Sequence, residues 1–524
     1  MKKLIRSLAV AALLGGTALP ALAESLTIGL ASEQSSIDPQ FSRTGNNQNV
    51  SLMMFDRLVV FDKNLQMSPS LAESWENLDP LTWQVKLRAG VTFQDGSPFT
   101  ADDVIFSLDR APGVPNSPAP YTDMVSSLDS VEKIDDLTLK ITTKTPNPSL
   151  MEDIGRVFIV SKAATEDASS EDFNAGTAAI GTGPYRFVSW TPGETLKLQA
   201  WDGYWGEQPE FDDVTVRYIS NPAARVAALM SGSVDLIDNV PTSDAGQIEA
   251  GGKYRVQMEQ SGRVIYLALS MRDDTAPGVT DLAGKPLDVN PFRDADVRKA
   301  VSLMIDRQLI VDRLLQGAGV PAAQIAPEGL GGYAADLLPQ PPDYEAAHEL
   351  LAKAGYPDGF GMTIVSSNDR FPGDADLAQA LGQMITRGGL KVNGVQVFPY
   401  NVYSKAATGG EYGAYVFSLG ASTPSSAPLL ASLLQTHDTE TGTGAFNRMR
   451  FSDAEFDAAL DAALAEFDPD KRNEMLAEAT RIAFEKTPIV PLYWQKIAWA
   501  MKDGLTIEAG LSENTLPQLV RSAQ

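Results

Sequence analysis

Side chains able to do covalent chemistry are scarce in this 524-residue chain, which has two histidines, His348 and His437, and no cysteine. The common hydrolases need a nucleophile beside a base, or metal ligands at set spacing. Neither G-x-S-x-G nor H-E-x-x-H occurs, and there is no P-loop. Neighbouring carboxylates such as Asp102-Asp103 and Asp273-Asp274 are present, but 67 acidic residues produce such pairs by composition alone. Helix caps and solvated faces account for them, which leaves a carboxylate-only glycosidase as the open enzyme alternative. Tyr185, Trp190, Trp201, Tyr204 and Trp205 have the rings to stack a sugar or a base, yet their spread over a hairpin reads as core. One stretch is placed for binding rather than catalysis: 367–373, SNDRFPG, which follows a short apolar strand and precedes a helix.

The elements around these residues alternate between the two periods. Trp83, Val85 and Leu87 alternate with polar neighbours over 82–88, the pattern of a half-buried strand. Gly90 and Asp95-Gly96 signal turns, and Thr100 stands as the N-cap of a helix whose first turn holds Asp102 and Asp103. Strands are expected at 26–30, 137–142, 195–199, 234–237 and 264–270. A long helix is expected from Asp294 to Gly317, and another after the cap Asp343, with His348 beside its apolar stripe and hence facing solvent. A strand at 363–366, the loop SNDRFPG, a helix at 374–386 and a strand at 395–398 make a βαβ unit, in which ligands gather at the carboxyl ends of the strands. Ser452 and Glu455 read as a capping box opening a helix through Phe456, Leu460 and Leu464; a second helix covers 470–485, and 489–499 returns as a strand.

The chain begins with Lys2, Lys3 and Arg6, an apolar run at 8–14 and Ala21-Leu22-Ala23, the layout of a secretory signal cleaved after Ala23. Without cysteine, neither a lipid-anchored N-terminus nor a disulfide can form. Removing residues 1–23 takes away three basic and no acidic side chains, so the net charge moves from −25 to −28. Such a surface repels nucleic acid and anionic lipid, although screening over about 8 Å still permits an anionic group in a cleft. With 44% hydrophobic residues there is ample core, and this length implies two or more domains. No cofactor is expected.

Over 75–107 the chain reads W-E-x-x-D-x-x-T-W-x-x-K-L-R-x-G-V-x-F-x-D-G-x-P-F-x-A-D-D-V-x-F-S, which resembles the signature of the family 5 solute-binding proteins, extracytoplasmic receptors of ABC importers. The passage IGTGPYRFVSWTPGETLKLQAWDGYWG at 180–206 and the helix after Asp294, similar to the family's VRxAxxxAIDR, extend the likeness over most of the mature chain. The resemblance implies a two-lobed α/β periplasmic-binding-protein fold with two crossings between lobes. Residues 24–65, 185–275 and 490–524 would form lobe I, residues 66–184 an extra subdomain of it, and residues 276–489 lobe II. It also implies a monomeric periplasmic protein that closes on a peptide or peptide-like solute and meets the membrane only through a permease served by ATPase subunits. A non-peptide solute (sugar, opine or metal chelate), a secreted carboxylate-based hydrolase and a receptor feeding a chemosensor are the alternatives.

By the same resemblance, Arg370 falls where dipeptide-binding members hold the ligand's α-carboxylate, with Asn368 and Asp369 beside it; a planar guanidinium suits that task. Ser36 lies in a loop that borders the ligand cleft in the family. Peptide-binding relatives carry a Trp and an Asp just after the strand at 415–417, and that Asp holds the ligand's ammonium. Here those positions are Leu419 and Ser422. A hydroxyl does not compensate a desolvated ammonium, so Ser422, Thr423 and Ser425 point to a ligand read through hydroxyl contacts. Asn447, Arg448 and Arg450 are further candidates.

Overall fold

The computed structural model describes residues 25–523 except Asp369, Pro372, Glu440 and Thr441; the expected leader lies outside the described residues. The alternation of periods gives the α/β architecture it foretells, around a mixed sheet of eleven strands. In chain order these are β1 (Ser25–Leu30), β2 (Tyr185–Thr191), β3 (Thr195–Ala200), β4 (Asp213–Tyr218), β5 (Leu236–Ile237), β6 (Tyr254–Leu269), β7 (Gly319–Pro321), β8 (Gly361–Ser367), β9 (Lys391–Phe398), β10 (Ala414–Gly420) and β11 (Val490–Lys502). They lie in the order β9-β8-β10-β6-β11-β5-β1-β4-β3-β2, with β7 paired to β11.

Two strands are much longer than the rest, and they join everything else. β6 has 16 residues and β11 has 13, and they run antiparallel. Val256 and Met258 of β6, with Ala498 and Ala500 of β11, pack on a core that includes Leu229 and Ile237. Further along the same strands, Ile265, Leu267, Val490 and Leu492 belong to a separate core with Val297, Ile364 and Leu381. Between these stretches the register breaks: Gln260 faces Lys496 but Val264 faces Trp494, so three residues of β6 stand against one of β11. A bulge of this kind weakens the ladder locally and bends the strand.

Residues 71–110 build a separate layer. Ala72–Asp79 and Thr82–Leu87 pair in a four-stranded antiparallel sheet with Thr138–Thr143 and Leu128–Asp135. The helix Ala101–Arg110 follows a capping box between Thr100 and Asp103, whose other carboxylate oxygen accepts from Lys162 N at 2.9 Å. Asp102 pairs with Lys133 at 2.7 Å, and Asp274 pairs with Arg293. These neighbouring acids therefore serve as caps and surface pairs.

Two elements differ from the sequence reading. The helix expected from Asp294 to Gly317 ends at Leu303; Asp306 caps a new turn by accepting from Leu309 N, and 310–314 widens into a π-helix. The helix Ala454–Leu464 is capped by Asp453, which accepts from Phe456 N at 2.9 Å, while Ser452 instead shares a hydrogen bond with Thr436. The residue one position on has the better placed acceptor.

Candidate functional site

The register of the sheet sends the ends of its parallel strands to one place. β8 runs parallel to both β9 and β10, and Gly420 at the end of β10 stands opposite Arg263, midway along β6. On the other side β1 runs parallel to β4 and β5, and β5 continues toward the middle of β11, where Val240 N donates to Ala498 O at 3.0 Å. Carboxyl ends from both halves thus converge on the bulge, the position where open α/β sheets bind ligands. Gly262 sits in that bulge because a Cβ there would come within 2.9 Å of Ala421 Cβ.

A cavity of about 1540 Å³ opens at this convergence. Its lining draws Arg43, Asp56, Arg57, Arg156, Tyr204 and Trp205 from the first half, Leu419, Ser422 and Phe446 from the second, and Arg263 and Glu513 from the junction. Arg263 holds Glu513 through two hydrogen bonds, 3.0 Å from Nη2 and 3.3 Å from Nε, and this charge raises the Arg263 pKa. Arg156 lies 3.3 Å from Asp153 and donates across the cavity to Ser422 Oγ at 3.4 Å.

Asp56 is one of the carboxyls that line this cavity. It accepts from Trp205 Nε1 at 2.8 Å and Thr182 Oγ1 at 3.0 Å, yet burial outweighs both hydrogen bonds and pushes its pKa up to about 6. Below about pH 4 the carboxyl is protonated folded or unfolded; as pH rises toward 6 the unfolded chain ionises first, so this group withdraws stability with rising pH. The full cost is about 3 kcal/mol. Asp56→Asn, which retains an acceptor for Trp205 and Thr182, is expected to unfold at a higher temperature than the parent protein at pH 7.5. The difference should close by pH 4, and a constant difference across that range would count against the assignment.

The residues expected from sequence to bind ligand are dispersed. Ser422 lines the cavity, as does Leu419. Thr423 Oγ1 donates to Ser425 O at 3.0 Å and Ser425 Oγ accepts from Ala427 N at 3.0 Å, so both hydroxyls shape the turn before a helix. Ser36 is buried and donates to Asn174 Oδ1 at 2.9 Å. Arg370 and Asn368 are exposed at the end of β8, and Asp369 lies outside the described residues. The Arg370 guanidinium lies 5.0 Å over the ring of Tyr400, while its backbone N donates to Asp374 at 3.0 Å. Asn447 staples its loop, donating to Gln435 O and Phe451 O at 2.8 and 2.7 Å. Arg448 covers the Phe417 ring at 4.4 Å, and Arg450 donates to Asn447 O.

Sequence reasoning passed over Arg57, Arg156, Asp56 and Arg263. The available signal was Arg57 itself, a cation inside the apolar run MMFDRLVV. Of the aromatics read as core, Tyr185 and Trp201 are buried, whereas Tyr204 and Trp205 face the cavity. Among the described residues no group of three or more His, Asp or Glu is placed to hold a metal, and no helix is long and apolar enough to cross a membrane.

A family model described as Bacterial extracellular solute-binding proteins, family 5 Middle, matches residues 66–441. The glutathione-binding protein GsiB of Pectobacterium atrosepticum is 29% identical over 495 residues, covering 92% of this chain and 91% of that protein. Among solved structures, HbpA2 from Haemophilus parasuis superposes with a TM-score of 0.80 at 24% identity, covering 95% of this chain and all of that one. The periplasmic binding protein DppA from Helicobacter pylori, in complex with the peptide STSA, gives 0.74 at 23% identity, covering 96% and 99%.

Proposed function

The chain belongs to the bacterial extracellular solute-binding proteins of family 5, and from that premise we propose that its solute is a peptide or a small peptide-like molecule held in the cavity at the strand convergence. It is the periplasmic substrate-binding component of an ABC importer, working with a membrane permease and ATPase subunits. We place cleavage of the leader after Ala23 and assign no lipid anchor, since there is no cysteine to carry one.

The observation that carries the ligand reading is the cavity's position. It lies across the bulge in the two strands that join the cores, so bending there brings Arg57 and Arg156 on one wall toward Leu419 and Ser422 on the other. Hinge closure of periplasmic binding proteins is a known mode of conformational change. In this reading residues 24–65, 185–275 and 490–524 form lobe I with 66–184 as its extra subdomain, and 276–489 form lobe II. Ser422 is the ligand contact of lobe II. Arg370 contributes from the end of β8, where its guanidinium covers the Tyr400 ring at 5.0 Å; Asn368 and Asp369 stand beside it. The turn hydroxyls of Thr423 and Ser425 fix the height of Ser422, and Ser36 braces the loop after β1.

We assign no covalent step. Three of the cavity's acids are held by neighbours: Asp56 by Trp205 and Thr182, Glu513 by Arg263, and Asp123 by Arg43 at 2.8 Å. Relatives bind related molecules, glutathione in GsiB and the peptide STSA in DppA. Mass spectrometry of the solute that co-purifies from the periplasm is the test, with an intact peptide-like molecule as the expected outcome.

A further inference from the structure

Arg57 has no ion-pair partner among the described residues. The residue is 7% exposed. Its Nη2 donates to Gln48 Oε1 at 2.8 Å, its guanidinium lies 4.0 Å over the Phe158 ring, and its Nε has no partner. Among these residues no carboxylate comes within ion-pair distance of it, and the titratable neighbours that act on it are Tyr121 and Arg156. Tyr121 is a neutral phenol at physiological pH, and burial pushes its pKa further up, to about 12. The chain bridges Arg57 to Phe158, which sets Arg156 two residues further along the same wall. An unpaired buried cation costs several kcal/mol; Arg156 is held by Asp153 at 3.3 Å, so the two guanidiniums on this wall share one carboxylate and leave one positive charge for a ligand to compensate.

We propose that Arg57 and Arg156 form the seat for a carboxylate of the solute, with Ser422 supplying a hydrogen bond to it from the facing wall. Planar guanidiniums offer parallel N–H donors that match the two oxygens of a carboxylate. Ser422 Oγ is 3.4 Å from Arg156 Nη1, so a ligand oxygen seated beside that pair meets both. The hydroxyl at position 422 also acquires a reason. An Asp there would lie within reach of Arg156 and add a second carboxylate to the one Asp153 already supplies, neutralising the seat from inside the protein, whereas Ser leaves the remaining positive charge for the ligand. Val60 and Phe446, 46% and 44% exposed, line the same cavity and give the rest of the solute an apolar surface. The solute class is therefore an amphipathic carboxylate. This rests on the reading that the cavity is the solute site.

The test is calorimetric titration of the mature protein with the tripeptide Ala-Ala-Ala and with its C-terminal amide, using the parent chain, Ser422→Asp and Arg57→Gln. The parent should take the free acid about 100-fold more tightly than the amide, and each variant should lose about 100-fold for the acid while changing little for the amide. Without solute, Arg57→Gln should unfold no lower than the parent, because an uncompensated buried charge is gone; a purely structural role would lower it. Ser422→Asp should unfold higher through its new pair with Arg156. Equal affinity of the parent for acid and amide, or undiminished acid binding by Arg57→Gln, overturns the seat. If the parent ignores both peptides but binds a neutral or cationic co-purifying solute, the seat falls and the receptor reading stands. If it binds no solute at all, both fall.

Discussion

Arg472→Ala is expected to loosen the two halves of the molecule from each other, at a cost of about 3–5 kcal/mol. Arg472 belongs to the helix Pro469–Glu485, whose Leu476, Ala479 and Ala483 pack into the core of the second half. Its guanidinium reaches Glu152 of the first half at 3.3 Å and donates to Pro148 O at 3.3 Å. The two side chains are 10% and 7% exposed, so neither charge can be left to water. Burial raises the Glu152 pKa even with Arg472 opposing it. Phe467, just before the helix, lays its ring 6.3 Å from Trp83 of the four-stranded sheet. Neither Arg472 nor Glu152 belongs to the long strands β6 and β11, so cutting this tie should widen the particle rather than unfold it. Small-angle scattering should show a larger radius of gyration for Arg472→Ala. The paired replacement Glu152→Gln with Arg472→Met should recover much of the lost stability, since it leaves no uncompensated charge. An unchanged radius in the single variant would show that the contact does not hold the halves together.

A second large effect is expected from Arg298→Ala. Arg298 is the arginine of the VRKA segment and is 4% exposed. It donates from Nε to Thr487 O at 2.8 Å, from Nη1 to Phe292 O and Arg293 O at 2.8 and 3.1 Å, and from Nη2 to Lys486 O. Arg307, at the end of the same motif, donates to Pro491 O at 2.7 Å. The motif thus fastens the segment leading into β11, one of the two long strands, to the helix Ala295–Leu303. Hydrogen bonds to a charged donor contribute about 1.5–3 kcal/mol each, so even with partial rehydration of the carbonyls the loss should exceed about 3 kcal/mol. Lysine should not rescue it, because a point charge on a flexible stem cannot serve carbonyls on opposite sides. The midpoint of urea unfolding reports both outcomes; a variant with the parent's midpoint would remove this motif from the account of stability.

Much of the fold was legible because apolar periodicity and capping chemistry are local. Alternation at 82–88 yields the strand Thr82–Leu87, and Asp343 caps its helix by accepting from Ala346 N at 2.9 Å. The long strand pair was half visible. The apolar end of β6 declared itself from Val264 onward, while Tyr254 to Gln260 alternates Tyr254, Val256 and Met258 with polar residues over a half-buried stretch whose partner strand lies about 240 residues away, in β11. The broken helix after Asp294 kept its apolar stripe across the break, which hid the cap at Asp306. The site was legible only as a region. Ser422 lines the cavity, but the charged residues of the same lining come from positions that include 43, 57, 156, 263 and 513. Such separations follow no spacing rule, since the sheet register alone unites them.

The central claim is that this chain captures a carboxylate-bearing, peptide-like solute and releases it unchanged. Mass spectrometry of material released from the protein after export to the periplasm tests this most directly. The account predicts one dominant small solute bearing at least one free carboxylate, identical in mass after repeated cycles of release and rebinding. A solute without a carboxylate, or one that returns hydrolysed, would contradict it.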